Sequence, residues 1–184
     1  MTRGGLTRIA PRVLGMTYRR LIPAAIVVAL LAACGNQVDA EVVGQVGISV
    51  DEQGAPVVVV AVCTDFIDTV DISLGREGLG EGDSNPEVGT WEAQEHVTDF
   101  ATLNLANPGE AWKAHAPLAL EPDKHYIVLA EQAEADVEAT QVDFFGKDVA
   151  GLAPGKVYTS SGDPDSVKLV GHEAADFQSF ACQE

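Results

Sequence analysis

The stretch LALEPDKHYIVLAEQ, residues 118–132, decides the fold of this chain. An apolar segment leads to a proline and an aspartate, and then to a tyrosine that opens a run of β-branched and apolar residues. Proline and aspartate favour tight turns, and β-branched residues favour strands. The stretch therefore predicts a turn that leads directly into a strand beginning near Tyr126.

The region before this stretch also has β character. The segments VVGQVGISV (residues 42–50) and APVVVVAVC (residues 55–63) flank the turn signal DEQG and predict a hairpin. The second segment is apolar at every position, which is typical of a strand covered on both faces or lying in a sandwich core. FIDTVDISL (residues 66–74) alternates, but neither of its faces is purely apolar, so we expect it near a sheet edge.

Further strands are expected in residues 90–105, 141–149 and 167–170. The segment 75–89 is rich in glycine and acidic residues and is expected to be an exposed loop that serves as a binding surface. The pattern of residues 133–140 fits either one or two helical turns or an acidic loop between strands. About seven to nine short strands separated by turn signals predict an antiparallel β-sandwich of a single domain's size.

The pattern L-x-P-x-K-x-Y at residues 120–126 resembles the E–F corner of immunoglobulin-like and fibronectin-type sandwiches. With a VCT strand end and a Gly-x-Trp strand start at Gly89 and Trp91, it makes the chain similar to small Ig-like exported lipoproteins of high-GC Gram-positive bacteria. Residues 151–160, GLAPGKVYTS, repeat part of the corner pattern without a clear alternating strand afterwards.

This resemblance implies an all-β fold, an Ig-like antiparallel sandwich. It implies that the hydroxyl of Tyr126 bonds to backbone a few residues upstream and closes the corner. Either Ile127 and Leu129, or Val128, would then face the core. The resemblance concerns architecture and implies no particular activity.

The N-terminal region predicts where the chain resides. Residues 1–33 contain five arginines and no acidic residue, and they end in an apolar run of thirteen residues, LIPAAIVVALLAA. A helix of that length spans about 20 Å, less than the roughly 30 Å of a bilayer's hydrocarbon core. A basic segment, a short apolar run and small residues before a cleavage point are typical of a secretory signal.

The sequence LAAC at residues 31–34 resembles the lipobox of bacterial lipoproteins. The resemblance implies that a lipid is attached to the sulfur of Cys34 and that cleavage occurs between Ala33 and Cys34. Two acyl chains would then anchor the protein in the lipid bilayer, at the extracytoplasmic face of the cell membrane.

The predicted organisation follows from that cleavage. Residues 1–33 form a lipoprotein signal peptide, residues 34–41 a lipidated tether, and residues 42–184 the Ig-like domain. Two alternatives remain open. The N-terminus is an ordinary secretory signal followed by a chance cysteine, or translation begins at Met16, from which a complete signal already runs.

Two cysteines, Cys63 and Cys182, remain once Cys34 carries lipid. An even number of cysteines in an exported chain predicts a disulfide between them. The chain-entropy model gives about 5 kcal/mol as an upper value for a loop of this length. The alternative is a reactive or metal-binding thiol, although neither cysteine has a His or a second Cys close in sequence.

The mature part is strongly acidic. All 28 Asp and Glu residues follow residue 34, whereas only six of the 11 Lys and Arg do, so the difference is 22 negative charges. This excludes nucleic acid as a partner, since nothing would neutralise its phosphates. A solvated surface explains the charge, and the functional alternative is a protein or other cationic ligand: a cation-rich partner, Ca²⁺ or a basic peptide.

Two segments of the sequence resemble catalytic motifs, but each departs from the motif at a defining position. DISLG (residues 71–75) lacks the first glycine of a nucleophile elbow, and GLAPGKV (residues 151–157) is one residue short of a P-loop. The four histidines show no metal-ligand spacing; they are His96, His115, His125 and His172. The sequence therefore predicts no catalytic residue, no cofactor and no metal ligand set.

Two weaker patterns leave alternatives open. Asp83, Asn85 and Glu87 place oxygen ligands at alternate positions of a loop and form the best calcium candidate, although the EF-hand glycine and bidentate glutamate are missing. Trp91 and Trp112 are either core anchors of a sandwich, which we favour, or exposed platforms for a sugar or peptide.

We therefore expect a non-enzymatic binding or accessory module at the cell surface. The alternative is a small envelope enzyme or metal-dependent hydrolase whose site is assembled from distant residues. An enzyme is expected to show a concave pocket in which His and acidic side chains converge, and a binding module a flat or loop-built surface.

Overall fold

The computed structural model describes residues 40–113, 116–163 and 166–183. Nine strands account for about half of this part of the chain: β1 Glu41–Val50, β2 Pro56–Val62, β3 Ile67–Leu74, β4 Glu87–Val97, β5 Phe100–Asn104, β6 His125–Glu131, β7 Val137–Phe145, β8 Lys156–Ser160 and β9 Leu169–Glu173. Two short 3-10 helices, Gly146–Gly151 and Ala174–Asp176, and one helix, α1 Phe177–Ala181, complete it. The predicted all-β class is confirmed. Within the described ranges, no helix is long and apolar enough to span a bilayer.

The strands follow the order β4-β3-β6-β7-β1-β2-β5. Neighbours are antiparallel except β1 and β7, which run parallel over Glu41–Gln45 and Val137–Thr140. The second half of β1 meets a different strand, because Ile48 pairs with Tyr158 of β8, and β9 pairs with β8. Strand β1 therefore joins the main sheet to a C-terminal hairpin.

The main core lies between the inner faces of these strands. It contains β-branched residues from β1, β2, β3, β6 and β7 and the rings of Trp91, Trp112, Tyr126 and Phe144. Trp91 and Trp112 are only 1% and 2% exposed, so they are core anchors, as favoured from the sequence, and not ligand platforms. The indole N–H of Trp112 donates to the carbonyl of Thr102 at 2.9 Å and ties its segment to β5.

A second, smaller core covers the outer face of β2. Val59 and Ala61 pack there against Val157 of β8 and Phe177 of α1. The uniformly apolar strand is therefore covered on both faces, which is one of the two arrangements that its composition favours. Gly47 of β1 permits the close packing, since a Cβ at this position would lie 2.4 Å from a methyl of Val157.

The predicted disulfide closes this second core. Cys63 follows β2, Cys182 follows α1, and their Cα atoms are 5.3 Å apart across 119 residues of sequence. The side chain of Gln178 adds a hydrogen bond of 2.9 Å to the carbonyl of Val62. The C-terminal helix is thus fixed to the end of β2 at two points.

The structure differs from the sequence expectations in strand β3. Buried and exposed side chains do not simply alternate along β3, because the pairing with β4 shifts between Ile67 and Thr69. Ile67, Thr69 and Val70 are all buried as a result. Strand β3 is the second strand from an edge, and β4 occupies the edge itself.

Several element boundaries also differ. Strand β4 begins at Glu87, inside the predicted loop 75–89, because Ser73 pairs with Glu87. Residues 133–140 form a turn that leads into β7 at Val137, and not helical turns. Strand β9 begins at Leu169, two residues later than expected, and β1 begins at Glu41, inside the expected tether.

Candidate functional site

The corner before β6 positions the candidate site. The backbone N–H of Glu121 donates to the hydroxyl of Tyr126 at 2.8 Å, and the N–H of Lys124 donates to the carbonyl of Glu121 at 3.2 Å. Tyr126 is buried, as is Val128, which resolves the two orientations left open above in favour of Val128. Because side chains alternate along a strand, His125 and Ile127 lie on the opposite, outer face.

A cleft of about 500 Å³ opens on this outer face. Strands β6 and β7, the end of β8 and the segment after it line the cleft. The side chains that matter chemically are those of His125, Asp143, Ser160, Asp163 and Ser166. Among the described residues that line it there is no Lys or Arg, so carboxylates and hydroxyls dominate the chemistry of the cleft.

The sheet register brings His125 and Asp143 together. Ile127 of β6 pairs with Asp143 of β7, and His125 lies two residues before Ile127 on the same face. Such diagonal neighbours are within reach of long and aromatic side chains. His125 Nε2 lies 3.4 Å from Asp143 Oδ2, and the His125 side chain is only 14% exposed.

Each of these two side chains has an additional partner that orients it. Glu77 Oε1 lies 2.8 Å from His125 Nδ1, so the loop after β3 reaches the imidazole. Ser160 donates its hydroxyl to Asp143 Oδ1, and the N–H of Asp143 donates to Ser160 Oγ at 2.9 Å. Nε2 and Oδ2 are the atoms left facing each other.

The pKa of Glu77 is lowered from its ordinary value. The largest cause is a hydrogen bond from its own backbone N–H, which partial burial opposes and the contact with His125 reinforces. Glu77 is therefore a stable anion beside the imidazole. It lies outside the residues that line the cleft, on the far side of the ring.

The chemistry of the cleft follows from these bonds. A serine nucleophile needs a base in contact with its hydroxyl, usually an imidazole oriented by a third group. Here Ser160 contacts the carboxylate of Asp143, and the imidazole of His125 contacts carboxylates on both sides. The arrangement favours binding of positive charge and does not activate Ser160.

A second acidic group lies farther along the same face. Burial and the neighbouring Asp71 raise the pKa of Glu131 above its ordinary value. Asp71 accepts a hydrogen bond from the hydroxyl of Thr90, and Asp68 accepts one from the N–H of Ala133 at 3.0 Å. The carboxylates of Asp68 and Asp71 are thus tied into contacts with neighbouring segments.

The calcium candidate is not assembled. Arg76 donates to the carbonyl of Asp83 at 2.8 Å and to Asn85 Oδ1 at 3.3 Å, so a guanidinium lies among the oxygens that the ion would use. Glu87 belongs to β4 and contacts Thr90. Throughout the residues that the structure describes, no group of three or more His, Cys, Asp or Glu is suited to hold a metal ion.

The remaining predicted residues lie elsewhere. His96 stacks on Phe66 at 3.9 Å, and His172 stacks on Phe180 at 3.7 Å, so both rings have apolar partners, and neither lines the cleft. Ser73 lies within strand β3, where no nucleophile elbow is possible. Cys34 and His115 lie outside the described residues.

Sequence analysis missed the pair His125 and Asp143 because their proximity depends on the register of β6 against β7. The alternation of polar and apolar residues in both strands was the one available signal.

Comparison of the chain with models of protein families, with curated proteins and with solved structures gives no match.

Proposed function

We propose that this chain is a lipid-anchored, extracytoplasmic protein that acts as a non-enzymatic binding module for a cationic ligand. The disulfide Cys63–Cys182 is the observation that carries the location, because disulfides persist in oxidising compartments outside the cytosol. The lipobox-like LAAC at residues 31–34 supplies the means of anchoring.

The strand order supports an immunoglobulin-like class for the folded domain. Taking β1, β2, β3, β4, β5, β6 and β7 as strands A, B, C, C′, E, F and G, the order β4-β3-β6-β7 corresponds to the C′CFG sheet, and β1-β2-β5 corresponds to A, B and E of the other sheet. Tyr126 lies at the start of the F equivalent, where the tyrosine corner of this class occurs. The C-terminal hairpin and helix are additions to that plan.

The cleft beside His125 supports the binding role. It is concave, its described lining has carboxylates and hydroxyls but no Lys or Arg, and it belongs to a chain with a large excess of negative charge. Such a site attracts a cation and holds it by ionic hydrogen bonds.

Partition into detergent tests the proposed anchor. Expressed in a bacterium that processes lipoproteins, the wild-type chain should enter the detergent phase of a two-phase extraction, because its acyl chains bury there. Cys34→Ala should remain in the aqueous phase, whereas Cys63→Ala, which leaves the lipid site intact, should still partition with the detergent. A wild-type chain found only in water overturns the anchor.

Titration with spermidine and with tetralysine tests the cationic ligand. The detergent-solubilised full chain should bind one of these probes with an affinity that Asp143→Asn lowers at least several-fold. Glu134→Gln, an exposed acidic change outside the cleft, is the matched control for charge alone. Equal losses in both variants would mean diffuse attraction to an acidic surface and would contradict a site in the cleft.

A metal-dependent hydrolase is the second candidate, and the cleft is the observation that favours it. One imidazole and one carboxylate converge at 3.4 Å in a concave site, which partly meets the criterion stated above for an enzyme. Turnover of activated esters and phosphodiesters in the presence of Zn²⁺, abolished by Asp143→Asn, would support this candidate. Absence of turnover across that panel would favour the binding module.

A further inference from the structure

The charged residues of the domain are divided unevenly between its strands. Strands β3, β4, β6 and β7 contain eight carboxylates and no Lys or Arg. Strands β1, β2, β5, β8 and β9 and helix α1 contain only three charged residues, Glu41, Lys156 and Glu173. Lys156 Nζ and Glu173 Oε1 lie 3.0 Å apart and neutralise each other. The side of the domain that carries α1 is therefore almost uncharged in a strongly acidic chain.

Large apolar side chains are exposed on this same side. Among the residues that the structure describes, four such side chains are 39–59% exposed: Val42, Phe100, Val170 and Phe180. Phe180 belongs to α1, and its ring stacks on His172 of β9 at 3.7 Å. Val170 lies two residues before His172 and therefore on the same face of β9. These two side chains extend the second core to the surface.

Phe100 and Val42 lie at the other border of this surface. Phe100 pairs with Ala61, which belongs to the second core, and directly paired residues of antiparallel strands share a face. Val42 precedes Val43 of the main core, so alternation turns its side chain outward. The N–H of Cys63, whose disulfide fixes α1, donates to the carbonyl of Val43 at 2.7 Å. We call the four exposed side chains the apolar face.

The proposed anchor would keep the domain close to a bilayer. Cys34 precedes Glu41, the first residue of β1, by seven positions, and seven residues of chain span at most about 25 Å. Val42 of the apolar face is the next residue. Exposed apolar side chains gain free energy by burial in the interfacial region of a bilayer, whereas carboxylates are repelled by anionic lipids. Of the two sides of the domain, the side with α1 is the one suited to contact lipid.

We propose that the apolar face lies against the lipid surface to which Cys34 is anchored, with the rings of Phe100 and Phe180 in the interfacial region. The inference rests on the proposed anchor and adds an orientation to it. The cleft beside His125 lies on the outer face of β6 and β7, across the main core from α1. In this orientation the cleft faces away from the bilayer and stays open to a ligand.

Photolabelling from within the bilayer tests this orientation. The full acylated chain is reconstituted in vesicles of phosphatidylcholine that carries a diazirine in one acyl chain, irradiated and digested. Zwitterionic lipid is chosen because Asp99 and Asp176 immediately precede β5 and α1. Peptides that contain Phe100 or Phe180 should carry several-fold more label than the β4 peptide that contains Gln94. The difference should persist in high salt, because an apolar contact is not screened.

Single charge substitutions test which side chains make the contact. Phe100→Glu and Phe180→Glu should each lower the labelling of the apolar face several-fold, while the acylated chain stays with the vesicles. Gln94→Glu adds the same charge at an exposed position of β4 and should leave the labelling unchanged. If Phe180→Glu does not fold, Val170→Glu serves instead, because its side chain is 45% exposed.

The same experiment separates failure of this inference from failure of the proposed function. A chain that does not associate with vesicles overturns the anchor and the orientation together. A vesicle-bound chain with equal label on both sides, or with no label on the apolar face, overturns the orientation and retains the anchor. Crosslinks between the α1 peptides of two chains, in place of lipid label, would show that a second copy covers this face and would overturn the lipid contact.

Discussion

Two corners of this molecule share one local pattern and differ in what surrounds them. Residues 120–126 read LEPDKHY and residues 152–158 read LAPGKVY, with leucine, proline, lysine and tyrosine at the same spacing. In both corners the N–H of the residue before the proline donates to the tyrosine hydroxyl, at 2.8 Å for Tyr126 and 3.2 Å for Tyr158. The pattern therefore produces the same hydrogen bond to a tyrosine hydroxyl in both corners.

The surroundings of the two tyrosines decide their importance. Tyr126 is 2% exposed and packs within the main core, and it opens β6, a strand paired on both sides. Tyr158 is half-buried in β8, a strand of five residues that meets β1 through the single pair Ile48 and Tyr158. The short pattern encodes a turn, and the long-range pairing decides whether that turn supports the core or the periphery.

The residue before each tyrosine shows the same principle. This residue points to the outer face of its strand in both corners. In the first corner that face is open, and His125 lies in the cleft. In the second corner α1 covers the face, and Val157 packs against Phe177 in the second core. One position in the pattern thus serves a site in one place and packing in the other.

Loss of the disulfide should give the largest effect. Cys63→Ser combined with Cys182→Ser should lower the free energy of unfolding by about 2–5 kcal/mol, measured by denaturant titration. Because the bond fastens α1 over β8, hydrogen exchange should accelerate in β8 and β9 well before β6. Cys34→Ser, which keeps the bond, is the control. Uniform acceleration across both corners would contradict the separation drawn between them.

Removal of the two tyrosine hydroxyls should give the next largest loss of stability. Tyr126→Phe leaves the N–H of Glu121 without its acceptor at a partly buried position and should cost about 1–2 kcal/mol in denaturant titration. Tyr158→Phe removes a longer, exposed bond and should cost about 0.5 kcal/mol or less. Equal losses in the free energy of unfolding for the two variants would mean that burial does not distinguish the corners.

The smallest effect should come from the turn residue after each proline. Gly155 has a φ of +82°, whereas Asp123, at the same place in the first corner, lies outside the left-handed region. Gly155→Ala should therefore cost about 1 kcal/mol by backbone strain alone, since open space surrounds its Cβ position. Asp123→Ala should stay within about 0.5 kcal/mol. Thermal unfolding of the two variants side by side checks this. A larger loss of stability for Asp123→Ala would contradict the claim that the two corners have different turn types.

Part of this architecture can be predicted from the sequence for clear physical reasons. The unbroken apolar run of β2 requires cover on both faces, and the structure supplies it through Phe177. The parity of the cysteines predicts Cys63–Cys182, and the size of Trp91 and Trp112 favours the core. These features depend on residue type and number, which can be taken directly from the sequence.

The rest depends on register, which the sequence does not state. The parallel pairing of β1 with β7, the shift in β3 beside Thr69 and the approach of His125 to Asp143 all follow from which residues lie opposite each other. In the sequence, the second corner could be recognised only as a partial repeat of the first corner's pattern, because β8 is too short to show an alternation of polar and apolar residues. Arg76 entered no sequence argument, yet its guanidinium occupies the oxygen-rich loop proposed for calcium.

Mapping of the three sulfurs by mass spectrometry tests the central claim most directly. Protein extracted from membranes is alkylated without reduction, digested and analysed for each cysteine peptide. The account predicts an acylated N-terminal peptide beginning at Cys34, together with one linked peptide that joins Cys63 to Cys182. Three alkylated cysteines in a chain that still carries the residues before position 34 would contradict it.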